Sequence, residues 1–278
     1  MLQAKDFTEA IHTLGIQNAC VEVHSSFRAF GRRVDSGADT VLDAFTSEGC
    51  SVLVFAYTTG QFELPPPDGF QQRHPARNAW GDYAHFASES HPNPRVYTPG
   101  CTDIMRADLG LIPYTLVNRP GRARGRHPLN SFAAIGPCAE ELVREQTPED
   151  VFAPLRKLCE LDGYLLLMGV GLNRATLLHY AENVAGRAPF LRWAKDENGM
   201  TIPCRIGSCS GGFPRLDEIA APIERRVTVG DSLWRCFPAR ELVALCAAAI
   251  RANPDITRCG NPACARCDDA IAGGPAAM

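Results

Sequence analysis

The chain has 278 residues, 45% of them apolar, which is enough for one large domain or two modest ones with a substantial core. Its formal net charge of −3 argues against a protein that coats nucleic acid, and no segment stays apolar for the length of a membrane-spanning helix. Residues 1–6 lack the basic and apolar regions of a signal peptide, so we expect a cytoplasmic protein. In that reducing compartment the 12 scattered cysteines are expected to be thiols and not a disulfide scaffold.

The N-terminal part of the chain predicts the beginning of an α/β fold. Residues 7–14 have the pattern of a short amphipathic helix, and residues 19–24 alternate like a β-strand. After a loop rich in Arg and Gly, Ser36 and Asp39 form a variant of the capping box ahead of a helix at Ala38–Ser47. Residues 51–57 read as a second, buried strand, and strand, helix and strand in this order are typical of α/β proteins.

Residues 58–126 predict irregular loops inserted on the substrate side. They have no periodic pattern, and Pro65-Pro66-Pro67 and later His91-Pro92-Asn93-Pro94 interrupt regular structure. Aromatic residues among the polar ones argue against disorder, and loops of this length in a compact chain usually bind something. Within this region we expect one helix, at residues 102–109.

The rest of the chain completes the predicted architecture. We expect a strand at 131–135, helices at 139–145 and 149–160, a strand at 164–170, a hairpin at 192–206 with its turn at Glu197-Asn198-Gly199, and a helix at Ala239–Ala252. No linker or repeat divides the chain, so we predict one α/β domain over residues 1–278. It has a mixed central sheet flanked by helices, and residues 204–278 form a C-terminal part with a cysteine-rich tail.

Residues 164–182, YLLLMGVGLNRATLLHYAE, carry the strongest functional pattern. An apolar strand runs into a turn allowed by Gly169 and Gly171, and Asn173 is a candidate N-cap for a helix from about residue 175. On that helix His179 and Glu182 share one face, and a histidine beside a carboxylate can act as a general base near neutral pH. The alternative is a solvated pair on an exposed helix.

Four segments together resemble the aminoglycoside 3-N-acetyltransferase family, also called antibiotic N-acetyltransferases. They are VHSSFRAFGRRVDSGADTVLDAF at 23–45, HPLNSFAAIGP at 127–137, APLRKLCELDGYLLLMGVG at 153–171 and TLLHYAE at 176–182. The segments follow the family's order, and the resemblance is weaker from 58 to 107. It implies an enzyme that transfers acetyl from acetyl-CoA to the 3-amino group of a 2-deoxystreptamine aminoglycoside and so confers antibiotic resistance.

The resemblance also implies where acetyl-CoA binds. A serine pair at a strand end offers hydroxyl and N–H groups, and a helix that starts near Gly37 offers free N–H groups to a pyrophosphate. The residues that match the family's cofactor motifs are Ser25, Ser26, Phe27, Val34, Gly37, Thr40, Ser131 and Phe132. His127, which precedes a proline, is expected to be a structural hydrogen-bonding group and not a base.

His179 and Glu182 match the family's catalytic pair, and the resemblance implies direct acetyl transfer, because no cysteine matches a nucleophile in this motif. An acceptor that carries several positive charges requires carboxylates in its site. The candidates are Glu63, Asp68, Asp82 and Asp103. A departure from the family is Tyr114, which follows Ile112-Pro113 where an acidic residue is frequent.

The tail contains a separate pattern, Cys259-x4-Cys264-x2-Cys267, which is close to the ligand spacing of a structural zinc site. The fourth ligand is expected to be Cys209, with Cys204 as the alternative. Three reduced thiols in a tail are the competing interpretation.

Two other functions stay open at this stage. The chain could acetylate a different amine in a biosynthetic pathway, or it could be a zinc-stabilised protein that binds a ligand without turnover. A binding protein has no need of the general base His179, and thiol release from acetyl-CoA with a panel of amines separates the two enzyme readings.

Overall fold

The computed structural model describes residues 1–58, 61–70, 78–79, 83 and 95–274. Parts of the predicted loop region, including Asp82 and the His91-Pro92-Asn93-Pro94 run, lie outside the described residues, as do residues 275–278.

The structure alternates strands with helices, as the sequence predicts. The strands are β1 (Cys20–Ser25), β2 (Ser51–Phe55), β3 (Glu63–Leu64), β4 (Ala123–Arg124), β5 (Phe132–Ile135), β6 (Tyr164–Met168), β7 (Phe190–Lys195), β8 (Thr201–Ile206), β9 (Arg225–Val229) and β10 (Ser232–Pro238). The described α-helices are α1 (Ala4–Leu14), α2 (Ala38–Ser47), α3 (Arg106–Leu109), α4 (Leu111–Asn118), α5 (Ala139–Val143), α6 (Ala153–Glu160), α7 (Leu177–Val184), α8 (Asp217–Ala220), α9 (Ala239–Ala252) and α10 (Ala265–Ala272).

The main sheet has seven strands in the order β4-β5-β2-β1-β6-β10-β9. Strands β2, β1 and β6 run parallel, and antiparallel strands complete both sides, which confirms the predicted mixed central sheet. The register pairs Val21 with Tyr164 and Ser25 with Met168, so β1 and β6 end side by side. Because both faces of these parallel strands are covered, their sequences are continuous apolar runs.

Helices cover both faces of this sheet, and each face has its own core. On one side Trp234, fully buried, stacks between Phe7 of α1 and Phe45 of α2. On the other side α6, α7 and α9 pack against side chains such as Leu165 and Leu167 of β6. The two faces alternate along each strand because successive strand residues point to opposite sides.

A second sheet, β3-β7-β8, forms a separate layer. Its β7–β8 hairpin confirms the prediction for residues 192–206. Oδ1 of Asp196 accepts hydrogen bonds from the backbone N–H groups of Asn198 (2.9 Å) and Met200 (2.8 Å), which closes the predicted turn.

Two predicted helix starts are wrong. Asn173 is not an N-cap, because residues 172–174 form a 3₁₀ turn and α7 begins only at Leu177, with Thr176 as its N-cap. Ser36 and Asp39 do not form a capping box. The N-cap is Gly37, with φ 67°, and the carboxylate of Asp39 is engaged by Arg119 at 2.8 Å. A glycine N-cap has no side chain to accept the helix N–H groups.

Other boundaries differ less, and three elements were not predicted. Helices α2 and α9 match the prediction to the residue, whereas only Arg106–Leu109 of the predicted helix at 102–109 is helical. The elements absent from the prediction are α4, the β9–β10 hairpin and α10. In the described part of the chain, no helix combines the length and apolarity needed to cross a membrane.

Candidate active site

A cleft of about 1150 Å³ opens where the central parallel strands end. Ser25 at the end of β1, Phe55 at the end of β2 and Val170 just after β6 all line it. Ligand sites in α/β sheets generally lie outside the carboxyl ends of the strands, at the position where the strand order reverses. β1 is such a position, since the chain passes from β1 to β2 on one side and β6 lies on the other.

His179 and Glu182 form a hydrogen-bonded pair at this cleft. Nδ1 of His179 lies 2.8 Å from Oε2 of Glu182, and their side chains are only 12% and 6% exposed. Glu182 also forms an ion pair with Arg187, Nη1 to Oε1 at 2.5 Å, which favours an ionised carboxylate that can only accept hydrogen bonds. Nδ1 of His179 therefore donates, and its Nε2 keeps a lone pair without a partner among the described residues.

The imidazole ring of His179 is fixed from two further directions. The ring of Phe213 packs against it edge-on, with centroids 4.8 Å apart. On another side the backbone of Gly207 is so close that an added Cβ would lie 2.8 Å from Cδ2 of His179. Ser208, the next residue, donates from Oγ to Oε2 of Glu182 at 3.3 Å. The pair is thus held in one orientation, as a general base requires.

The sequence matches the family model described as aminoglycoside 3-N-acetyltransferase over residues 23–251. The chain belongs to the aminoglycoside 3-N-acetyltransferase family. It is 33% identical over 205 residues to aminoglycoside N(3)-acetyltransferase III of Salmonella sp, an alignment that covers 70% of this chain and 65% of that protein. It is 30% identical over 249 residues to aminoglycoside N(3)-acetyltransferase VII of Streptomyces paromomycinus, covering 80% and 82%.

Solved structures show the same fold. A mutant of aminoglycoside acetyltransferase AAC(3)-IVa in complex with gentamicin superposes with a TM-score of 0.75 at 22% identity, over 98% of this chain and 97% of that one. The structure titled AAC-IIIb binary with CoASH gives a TM-score of 0.73 at 20% identity, over 90% and 97%. The predicted fold class is therefore confirmed, and the alignment to the Salmonella enzyme spans less than two thirds of that relative's length, 65%.

In this family member the cofactor-side predictions divide into two groups. Ser25, Ser26, Phe27 and Phe132 line the cleft. Ser131 is fully buried; its Oγ donates to the carbonyl of Ala56 at 2.8 Å and accepts from Nε of Arg124 at 3.0 Å. The remaining three residues do not line the described cleft: Val34 is buried, Thr40 donates to the carbonyl of Asp35, and Gly37 stands at the start of α2 with open space beside it.

His127 is the structural histidine that its position before a proline predicts. Its Nδ1 accepts from the N–H groups of Leu129 (3.1 Å) and Asn130 (2.8 Å), and Nε2 lies 2.7 Å from the carbonyl oxygen of Arg205. Complete burial lowers the pKa of His127 from 6.5 to about 4. With both nitrogens engaged, His127 has no lone pair for a substrate proton.

The four carboxylates proposed for the acceptor are not equivalent. Glu63 lines the cleft, 3.6 Å from the guanidinium of Arg192, and Asp68 is exposed elsewhere. Asp103 forms an ion pair with Arg95 at 2.9 Å, and Asp82 lies outside the described residues. A further carboxylate, Asp108, also lines the cleft and accepts a hydrogen bond from the hydroxyl of Tyr57 at 2.5 Å.

The structure brings the proposed metal ligands together. The Sγ atoms of Cys209, Cys259, Cys264 and Cys267 all lie within 4.8 Å of one another. We call these residues the cysteine cluster. Cys204, the alternative fourth ligand, is instead fully buried in a small apolar group with Phe62.

Sequence reasoning missed several residues at the cleft. Glu22 and His24 form a second carboxylate–histidine pair, Oε1 to Nε2 at 3.0 Å, and the N–H of Thr176 lies 3.3 Å from that same Nε2. Alternation along β1 places Glu22 and His24 on one face, and that signal was available in the sequence. Arg187 gave no such signal, since it lies in the loop after α7.

Proposed function

We propose that this protein is an acetyl-CoA-dependent N-acetyltransferase that acetylates the 3-amino group of a 2-deoxystreptamine aminoglycoside and thereby confers resistance, acting in the cytoplasm. The observation that carries this proposal is His179, whose Nε2 faces the cleft while Nδ1 is held by Glu182 at 2.8 Å. The family match and the names of the relatives, which are aminoglycoside N(3)-acetyltransferases, support the acceptor class. The titles of the related structures name gentamicin and CoASH as their ligands.

The chemistry follows from the state of the histidine. An ammonium group must lose one proton to solvent before its nitrogen can attack the thioester carbonyl. As the N–C bond forms, Nε2 of His179 accepts the second proton, and Glu182 stabilises the imidazolium through Nδ1–H. The C–S bond then breaks and the proton passes to the departing thiolate. Since Glu182 is 4% exposed and already accepts hydrogen bonds from three side chains, orienting His179 suits it better than binding an ammonium group.

Acetyl-CoA is proposed to enter along Ser25, Ser26 and Phe27, which line the cleft at the end of β1. The segment that follows them leads to Gly37 at the start of α2, where unpaired helix N–H groups favour an anion. Phe132 provides an apolar wall, whereas Ser131 is committed to Ala56 and Arg124 and would contribute only indirectly.

We also propose that the cysteine cluster holds a structural zinc ion. Four sulfur atoms around tetrahedral Zn²⁺, each at ~2.3 Å, lie roughly 3.8 Å apart, so sulfurs already within 4.8 Å need only a small closure. The backbone N–H of Cys259 donates to Sγ of Cys267 at 3.4 Å, a contact that stabilises a thiolate. Burial raises the pKa of the Cys209 and Cys267 thiols, so a nearby cation is what would keep them ionised.

The deciding experiment measures thiol release from acetyl-CoA with a panel of amines. Aminoglycosides with a 2-deoxystreptamine ring are expected to be acetylated, and product NMR should place the acetyl group on the 3-amino nitrogen. Acetylation of simpler amines only would replace the aminoglycoside by another acceptor. Tight ligand binding without any thiol release would leave a binding protein and overturn the proposal.

A further inference from the structure

We infer that the cysteine cluster positions the catalytic pair, through contacts made to Glu182 by Ser208 and Arg187. The cluster is far from His179 in sequence, but both of its halves reach the catalytic carboxylate in space. Ser208 and Arg187 are thus positioning residues for the reaction. This inference rests on the proposed role of His179 as the base.

The first connection runs through residues 207–213, which we call the Cys209 loop. Cys209 belongs to the cluster, and its neighbour Ser208 donates to Oε2 of Glu182 at 3.3 Å. The two ends of the loop, Gly207 and Phe213, contact the ring of His179 on different sides. One short loop therefore touches both members of the pair and is fastened in its middle by a cluster sulfur.

The second connection runs through Arg187. Its side chain is 6% exposed, and its Nη1 binds both Oε1 of Glu182 at 2.5 Å and Oγ1 of Thr257 at 2.6 Å. Its Nη2 donates to the carbonyl of Pro254 at 2.5 Å. Thr257 precedes Cys259 of the cluster by two residues, so the guanidinium joins Glu182 to the segment that enters the cluster.

The two connections meet at the cluster itself. A Cβ on Gly212 would lie 2.0 Å from the carbonyl oxygen of Thr257, and one on Gly211 would lie 2.9 Å from Cβ of Cys259. The Cys209 loop and the segment around Thr257 therefore pack backbone against backbone, and the cluster joins their sulfur atoms. Loosening the cluster would free both contacts to Glu182, and a displacement of about 1 Å at a catalytic group can cost ~10²-fold in rate.

Substitution of Arg187 tests the second connection. Arg187→Met should lower kcat by about 10²-fold with an unchanged KM for acetyl-CoA, and Arg187→Lys should restore part of the loss because the ammonium can still reach Glu182. Arg251→Met is the matched control. Arg251 donates from Nη2 to the carbonyl of Val184 at 2.9 Å, near the same helix end, but does not contact Glu182. A lower melting temperature with wild-type kcat per folded molecule in Arg187→Met would assign a purely structural role and overturn the inference.

Substitution of the cluster tests the first connection, with a measurement that does not depend on turnover. Amide hydrogen exchange in Cys209→Ser should accelerate in residues 207–213 and 254–259 while the strands of the main sheet stay protected. The kcat should fall while acetyl-CoA affinity is retained. Cys101→Ser, outside the cluster, should change neither quantity. If exchange accelerates and kcat does not fall, the cluster does not position the pair. If wild-type protein acetylates no amine, the proposed function fails, and the exchange pattern still reports on the connection.

Discussion

Gly207 lies against the imidazole of His179 so closely that a Cβ at this position would be 2.8 Å from Cδ2 and 2.9 Å from Cγ. Real Cβ atoms do not approach a ring this closely, so a side chain here must displace either the loop or the ring. We expect Gly207→Ala to lower kcat about tenfold or more, since a misplaced catalytic group can cost ~10²-fold. Steady-state kinetics with saturating acetyl-CoA would measure it.

Gly260→Ala is the control for this prediction, because a Cβ on Gly260 meets no atom within 4 Å. It should leave kcat and KM at wild-type values. Equal kinetics for Gly207→Ala and wild-type protein would mean that the ring position of His179 is not critical.

The elements that could be predicted from sequence are those whose pattern is local. The helices α2 and α9 alternate apolar and polar residues with the helical period, and the apolar run of β6 is that of a buried strand. The β9–β10 hairpin was missed although Gly230 and Asp231 form a two-residue turn typical of hairpins. The helix α4 is apolar on all sides, so its sequence gives no amphipathic period.

The catalytic pair could be predicted because its partners stand three residues apart on one helix, where periodicity alone places them together. Its supports could not. Ser208 and Arg187 reach Glu182 only through the packing of the Cys209 loop and the chain around Thr257. The choice of Cys209 over Cys204 likewise depends on which of them the fold leaves beside the tail, although the spacing of the other three cysteines indicated a metal site.

His179→Ala should lower turnover by ~10²–10⁴-fold, the usual contribution of a positioned proton acceptor. Acetyl-CoA should still bind, because its proposed contacts lie at the end of β1. In wild-type protein the rate should rise with pH as the base loses its proton and then level off, and His179→Ala should lose that rise. Glu182→Gln should be less damaging if Glu182 only orients the ring. Near-normal turnover in His179→Ala would remove it from the mechanism, and His127, with both nitrogens engaged, could not replace it.

Gly37→Val tests whether the start of α2 contacts acetyl-CoA. Bulk at the helix start should weaken acetyl-CoA binding by about tenfold, equivalent to ~1.4 kcal/mol, measured by calorimetry. Gly121→Val is the matched control, since both glycines have a positive φ (67° and 74°) and open space around the absent Cβ. The backbone strain of the two variants is therefore similar, and only Gly37→Val should lose affinity. The same affinity in both variants would place the cofactor elsewhere in the cleft.

The metal prediction concerns composition and stability. Protein purified without chelator should contain about one zinc ion per chain, the stoichiometry of one closed four-ligand site. Cys209→Ser should lose the metal and melt at lower temperature, whereas Cys204→Ser should keep its metal even if removing a buried thiol destabilises it. Metal-free wild-type protein with unaltered thermal stability would leave four reduced thiols and no zinc site.

The buried His127 should make the protein less stable in mild acid. Burial lowers its pKa from 6.5 to about 4, so between these values the unfolded chain binds a proton that the folded protein excludes. The stability that a neutral His127 confers is therefore complete above about pH 6.5 and is lost as the pH falls toward 4. The difference corresponds to about 3 kcal/mol of unfolding free energy. Urea unfolding across this range should show that decline, and His127→Asn, less stable at pH 7 because its bonds to Asn130 and Arg205 change, should show a shallower one. An identical pH dependence in the two proteins would mean that His127 takes up a proton without unfolding.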